Sequence, residues 1–100
     1  MNGLNNLILE GKITNDVEIA ETETGLKFAS ALVSYSRAYR NAEGETKEEE
    51  IIFEVECWGN LAEIIAKFSK TKKGVRVVGR LRQKENKVVV IAEHLEFKVF

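Results

Sequence analysis

The sequence predicts an all-β domain, a small five-stranded barrel with one short helix between its third and fourth strands. Three observations predict it. Apolar and alternating runs of strand length fill most of the 100 residues. One segment only, beginning at Asn60, carries helical spacing. The chain contains no proline, a residue that deletes ladder hydrogen bonds where strands pair.

The elements follow in order. Leu7 to Ile13 is a short apolar run with Gly11 inside it, so a bulge or bend is expected there. Glu21 to Gly25 is polar, ends in glycine and reads as a turn. Phe28 to Tyr39 is a long strand. Ala29, Ala31, Val33, Tyr35, Arg37 and Tyr39 share one side; Phe28, Ser30, Leu32, Ser34 and Ser36 share the other. Neither side is wholly apolar, which predicts a bend or bulge partway. Asn41 to Glu45 is a hairpin tip, because asparagine and glycine tolerate left-handed backbone. In the next strand, Ile51 to Trp58, the residues Ile51, Phe53, Val55 and Cys57 point to a core, and Ile52, Glu54, Glu56 and Trp58 point away.

Asn60-Leu61-Ala62-Glu63 has the spacing of a capping box. Leu61, Ile64, Ile65 and Phe68 then share a helical face. Lys67, Lys70, Lys72 and Lys73 complement the negative helix end, and Gly74 is the expected exit. In the strand Val75 to Arg82, the residues Val75, Val77 and Leu81 face the core, and Arg76, Arg80 and Arg82 face away. Glu85-Asn86 is a tight turn before the last strand, Val88 to Phe97. Gly79, like Gly11, sits inside a strand where a small sheet bends to close. Five strands with a helix after the third is the order of an OB-fold barrel, a platform for oligonucleotides.

Composition narrows the class. An apolar fraction of 44% with 31% charged residues suits one ordered domain, residues 1–100, and excludes wholesale disorder. No run approaches the ~20 apolar residues of a membrane span, and the first residues lack a signal-peptide pattern. A single cysteine, Cys57, excludes an internal disulfide and a zinc cluster, and a reduced cytosolic protein is expected. The net charge of −1 conceals a division. Residues 1–66 carry five basic and thirteen acidic groups, a net of −8; residues 67–100 carry ten basic and three acidic groups, a net of +7. That division suits a polyanion on one face, self-association, or an ordinary mixed surface.

Single-stranded nucleic acid is held by rings that stack on bases and by cations that meet phosphates. Trp58 is on the polar side of its strand, and Tyr39 sits between Arg37 and Arg40 at the mouth of the long hairpin, with Tyr35 further down the same side. Each also has a plainer reading. Trp58 suits a curved core strand, and Tyr39 suits a hairpin clamp. Arg76, Arg80 and Arg82 suit either a phosphate track or ion pairs with the acidic half. The Lys67 to Lys73 cluster suits a solvated helix end, and Glu48-Glu49-Glu50 a solvated hairpin foot. Cys57 reads as a small core residue and His94 as a structural or surface residue. No acid/base, nucleophile or metal constellation points to an enzyme.

The residues also resemble a family. Asn6-Leu7-Ile8-Leu9-Glu10-Gly11-Lys12-Ile13-Thr14-Asn15-Asp16 is similar to the opening strand of bacterial single-stranded DNA-binding proteins. So are Gly25 with the strand ending Ser36-Arg37-Ala38-Tyr39-Arg40, the segment Val55-Glu56-Cys57-Trp58-Gly59-Asn60-Leu61-Ala62-Glu63, and Gly79-Arg80-Leu81. The resemblance spans essentially the whole chain. It implies stacking by Tyr39 and Trp58 and a DNA path near Arg37 and Arg40; the residues themselves add Tyr35, and Arg76, Arg80, Arg82 and Lys84 as candidate phosphate contacts. It implies homo-oligomers, tetramers before dimers, with Leu7, Leu9 and Phe53 as interface candidates. It implies bacterial replication, repair and recombination, a cytoplasmic, nucleoid-associated location, and replication and repair proteins as partners.

The sequence departs from the family at several places. Ile52 stands where the family has a tryptophan, Glu54 where it has a basic residue, Asn60 where it has a lysine and Phe53 where it has a histidine. The hairpin Arg82 to Lys87 is shorter than the family's long loop and lacks its aromatic. The family's linker and acidic, phenylalanine-ending tail, which recruits replication proteins, are not among these residues. Two absent stacking rings weaken the expected affinity by about 1–3 kcal/mol each. The alternative is a tail-less OB module acting mainly through protein partners, resembling primosomal replication protein N.

Overall fold

The computed structural model describes residues 3–71 and 74–98. Along the chain run β1 (Leu7–Ile13), β2 (Ala20–Glu21), β3 (Lys27–Arg40), β4 (Thr46–Trp58), α1 (Asn60–Phe68), β5 (Gly74–Lys84) and β6 (Lys87–Lys98). The sheet order is β1-β5-β6-β4-β3-β2, and a further β1–β3 pairing closes five strands into a barrel. All pairings are antiparallel except β4 with β6. The short β2, which pairs Ala20 with Phe28 and Glu21 with Lys27, is an addition to the expected five.

Closure depends on one backbone crossing. β1 leaves β5 and meets β3 at Lys12–Ser34 and Ile13–Val33. A Cβ on Gly11 would stand 2.4 Å from the Ser34 carbonyl oxygen, so only glycine lets the strands approach this closely. Of the bulge or bend expected at Gly11, the bend is there, where β1 turns from β5 onto β3 with its β1–β5 register unbroken, and the bulge is elsewhere. It lies in β6, opposite Val78/Gly79, where the register shifts.

The barrel is filled by small and branched side chains: Ile13, Ala29, Ala31, Val33, Val55, Cys57, Val75, Val77, Val90 and Ala92. Helix α1 contributes Ala62, Ile65 and Ala66 to the same core. Ile64 is exposed, so the helix buries a narrower stripe than its spacing suggested. Asn60 is the first helical residue rather than the cap. Gly59 takes the cap position at φ 63° with no side-chain bond, and Glu63 pairs with Lys27 instead of reaching back. The helix closes at Ser69, whose N–H donates to the Ile65 carbonyl, and Gly74 opens β5. Lys72 and Lys73 lie outside the described residues.

β3 and β4 pair without interruption from Phe28–Trp58 to Arg40–Thr46, so the bend expected within β3 does not interrupt its register. The hairpin simply outruns the barrel. Beyond Ser34 and Ile52 it continues as a two-stranded arm, almost wholly exposed, and the molecule reaches 56 Å in its longest dimension. Ile51 and Leu81, both expected in the core, are exposed for related reasons: Ile51 lies on the arm, and Leu81 lies towards the β5–β6 tip.

Candidate nucleic-acid interface

An unbroken antiparallel register keeps paired residues on one side of the sheet. β3 and β4 therefore present Phe28, Ser30, Leu32 and Ser34 together with Trp58, Glu56, Glu54 and Ile52 on the outer face. The β4–β6 register adds Ile91 beside Glu56, and the β5–β6 register adds Arg80, Arg82, Val89, Lys84 and Lys87. This open face spans four strands.

Its aromatic end is a pair. Trp58 is half-buried and stacks on Phe28, with ring centroids 5.1 Å apart and planes inclined by 28°. Phe28 thus braces the indole and leaves part of it in solvent. Along the face from the pair, Ser30 and Glu56 come next, then exposed Leu32 beside Glu54, and Ile52, exposed by 59%, lies opposite Ser34 at the far end. Phe28 was not among the sequence candidates. A hairpin folded about Glu43 puts Phe28 opposite Trp58, so the tip position carried that signal.

The cationic end is engaged internally. The Arg82 guanidinium donates to Glu56 at 2.7 Å, and the Lys84 ammonium meets Glu56 at 3.0 Å and Glu54 at 3.3 Å. Lys87 donates to Glu54 at 2.7 Å. Glu56 is only 2% exposed, beside the buried Val89 and Ile91. The Lys87 and Lys84 hydrogen bonds hold the Glu54 carboxyl below the ordinary 4.5, against partial burial. Burial pushes the Glu56 carboxyl up, but the Arg82 and Lys84 bonds outweigh it and leave it lowered as well. Both carboxylates in turn hold the Lys84 ammonium above its ordinary range.

The other arginines of β5 are also paired. Arg76 bridges Glu10 at 2.8 Å and Glu96 at 3.2 Å, on the side of β5 that faces β1, and Arg80 meets Glu93 at 3.0 Å. In the free chain Arg76 and Arg82 thus pair with Glu10 and Glu56 of the acidic half, whereas Arg80 pairs with Glu93 of the basic half.

The remaining candidates are elsewhere. Tyr35, Arg37 and Tyr39 lie on the opposite side of the hairpin from Trp58, on the arm. Tyr39 is about 35 Å from Trp58 along the strand at ~3.3 Å per residue. The two rings do not line one trough. Arg37 stands over the Tyr39 ring at 5.7 Å from its centroid, and Arg40 donates to the Gly44 carbonyl at 3.3 Å, bracing the tip. Leu7, Leu9 and Phe53 are half-buried against the core, whereas Ile8 between the first two is 67% exposed. A groove between β1 and the arm is lined by Glu10, Gly11, Lys12, Ser34, Tyr35 and Glu50. Cys57 is buried, and desolvation pushes its thiol up to about 12, so it stays neutral and inert. His94 is exposed beside Glu96. No helix among the described residues is long and apolar enough to cross a membrane.

A closed five-stranded barrel with a helix between its third and fourth long strands, and an aromatic pair on an open sheet face, defines an OB-fold domain with a surface of the oligonucleotide-binding kind. Comparison takes this further. Residues 4–97 match the single-strand binding protein family, and the chain belongs to that family. It is 35% identical to the single-stranded DNA-binding protein of Aquifex aeolicus over 92% of this chain and 68% of that protein. The chain spans 47% of the length of the Treponema pallidum relative, 49% of the Chlorobaculum tepidum one and 68% of the Aquifex aeolicus one. Many solved structures share the fold. One is the Plasmodium falciparum SSB complex with ssDNA (TM-score 0.85, 19% identity, 99% of this chain and 98% of that one). Another is PriB from Ralstonia solanacearum (TM-score 0.77, 22% identity, 95% of this chain and 98% of that one).

Proposed function

We propose that this chain binds single-stranded DNA without reading its sequence and serves replication, repair and recombination by keeping unpaired strands apart. The observation that carries this is the Phe28–Trp58 stack on a face that also bears the exposed Leu32 and Ile52 and the cations Arg80, Arg82, Lys84 and Lys87. Bases stack on the indole and, further along, rest against Leu32 and Ile52, while cations take the phosphates. The role is binding and involves no chemical step. A DNA strand that wraps round the hairpin reaches Tyr35, Arg37 and Tyr39 on its other side as a second contact, with Arg40 at the edge of the arm; Arg76 takes phosphate at the far edge of the barrel.

Assembly is part of the reading. One OB barrel covers only a few nucleotides. The exposed Ile8 between Leu7 and Leu9, together with partly exposed Phe53, supports a homo-oligomer, with a tetramer preferred. Light scattering of the purified chain is expected to give four copies. The proposed setting is the bacterial cytoplasm, at the nucleoid, with replication and repair proteins as partners.

The deciding experiment is a titration of Trp58 fluorescence with oligo-dT and with duplex DNA of equal length. Quenching by the single strand alone, weakening steeply with salt, is expected. Equal response to duplex overturns the proposal. A second reading has one observation in its favour: every basic residue of β5 is already paired with a carboxylate. Such a face suits a PriB-like module that acts mainly through proteins. Oligo-dT binding that does not depend on Trp58 would favour it.

A further inference from the structure

The cations of the candidate interface are not waiting in solvent. Lys84 lies between two carboxylates, Lys87 is held by Glu54 and Arg82 by Glu56. Glu54 is further fixed by the Ser30 hydroxyl, which donates to it at 3.2 Å. These carboxylates stand on β4, the neighbour of the strand that carries Phe28, so they occupy the middle of the same face as the aromatic pair. Two acidic oxygens held against a row of cations have the chemistry of two phosphates of a bound strand.

We propose that Glu54 and Glu56 act as an internal competitor for the nucleic-acid backbone. They hold Arg82, Lys84 and Lys87 in the free chain, a phosphate strand must displace them, and they thereby set how tightly and with what salt dependence this face takes a polyanion. The inference rests on the single-strand-binding reading.

The ion accounting makes it specific. A phosphate neutralised by a free lysine sheds its condensed counterion, and each such event adds about 0.7 to the steepness of log K against log salt for a single strand. When the backbone takes both Lys87 and Lys84 from Glu54, the bared carboxylate gathers a cation from solvent. One ion released is then offset by one ion taken up. The chain therefore has a shallower salt dependence than its cation count implies, and the competitor lowers its affinity at low salt.

Glu54→Gln tests this, because the amide keeps the shape and still accepts from Ser30. Glu54→Ser is the second variant should the first fold poorly. Glu18→Gln, an exposed site before β2, removes the same charge away from the face. Each is titrated with oligo-dT across a salt series. Glu54→Gln is expected to bind about two- to five-fold more tightly at low salt, the range of one displaced surface pair. Its slope is expected to steepen by about 0.7. Glu18→Gln is expected to match the parent. Tighter binding by Glu54→Gln where the parent binds too weakly to measure also supports the proposal. If the parent binds and Glu54→Gln matches it in affinity and slope, the competitor idea fails and the binding reading stands. If Glu18→Gln tightens binding equally, the effect is one of net charge and the idea fails. If neither the parent nor Glu54→Gln binds, both the idea and the single-strand reading fail.

Discussion

The same two strands build two different regions of this molecule. Within the barrel, one side of β3 carries Ala29, Ala31 and Val33, each at most 1% exposed. Past Ser34 the same side carries Tyr35, Arg37 and Tyr39, and Tyr39 is 41% exposed. The β3–β4 ladder is continuous through both regions. What changes is the neighbours. In the body, β1 pairs with β3 and β6 with β4; on the arm the two strands have only each other. Burial here follows from closure of the barrel, and the alternation of side chains only decides which side closure covers. A bare two-stranded ribbon is marginal in water, so the arm takes its order from the barrel at its root.

The largest effect expected from this contrast is in the barrel wall, where β5 and β6 pass the bulge at Gly79. A Cβ on Gly79 would stand 2.0 Å from the Ile91 carbonyl oxygen, a backbone atom that no side-chain rotation can move. Gly79→Ala is expected to cost about 3 kcal/mol, the upper part of the range for forced overpacking, read as a lowered denaturation midpoint. Stability within about 0.5 kcal/mol of the parent would mean that the β5–β6 contact is loose and that the barrel wall is no more tightly packed than the arm.

Next comes the aromatic pair at the barrel end of the hairpin. Trp58→Ala removes the stacking surface and is expected to weaken oligo-dT binding by about 1–3 kcal/mol. Phe28→Leu keeps the volume nearly unchanged but withdraws the ring that braces the indole, and a smaller loss is expected. Unchanged affinity in Trp58→Ala would move the binding surface away from the body.

Acid is expected to act on the body more gently. Glu54 and Glu56 sit below the ordinary 4.5 of an unfolded carboxyl because Lys87, Lys84 and Arg82 favour their charged forms. The folded chain therefore binds fewer protons than the unfolded one around that value. Their contribution is complete above pH 4.5 and fades as pH falls through the lowered folded values. A melting midpoint roughly 5 °C lower near pH 3 than at pH 6 is expected, corresponding to about 1 kcal/mol in a domain of this size. Glu54→Gln should shrink that difference, and an undiminished one would place the acid response elsewhere.

Much of this contrast was legible in the sequence, and its limits are physical. Strand order, the single helix, the two in-strand glycines and the outward side of Trp58 follow from local periodicity and turn chemistry. Where the arm leaves the barrel does not, because Tyr35 and Val33 share a side and differ only in which strands flank them. The partners of Arg82 and Lys84 were equally hidden. They depend on the parallel β4–β6 register that sets Glu56 beside Ile91, a non-local pairing that no spacing encodes. Asn60 carried a cap signal that failed because Gly59, at φ 63°, starts the helix one residue early and Lys27 draws Glu63 away.

The smallest expected effect belongs to the arm and separates its two uses. Arg37 already lies over one face of the Tyr39 ring, so only the other face is open to a base. The arm is also acidic: Glu43, Glu45, Glu48, Glu49 and Glu50 outnumber Arg37, Arg40 and Lys47. A base stacked there brings its phosphate into a repulsive field. Tyr39→Ala is therefore expected to weaken oligo-dT binding by about 1 kcal/mol, the low end of the stacking range. It is expected to leave the melting midpoint near its parent value, since an exposed ribbon residue supports no core. A titration and a melt on the same variant read both effects. A lowered midpoint with unchanged binding would make Tyr39 a clamp for the hairpin and confine the DNA path to the barrel. A loss as large as that of Trp58→Ala would make the arm an equal partner in the site, and the distinction between the two regions would then be structural only.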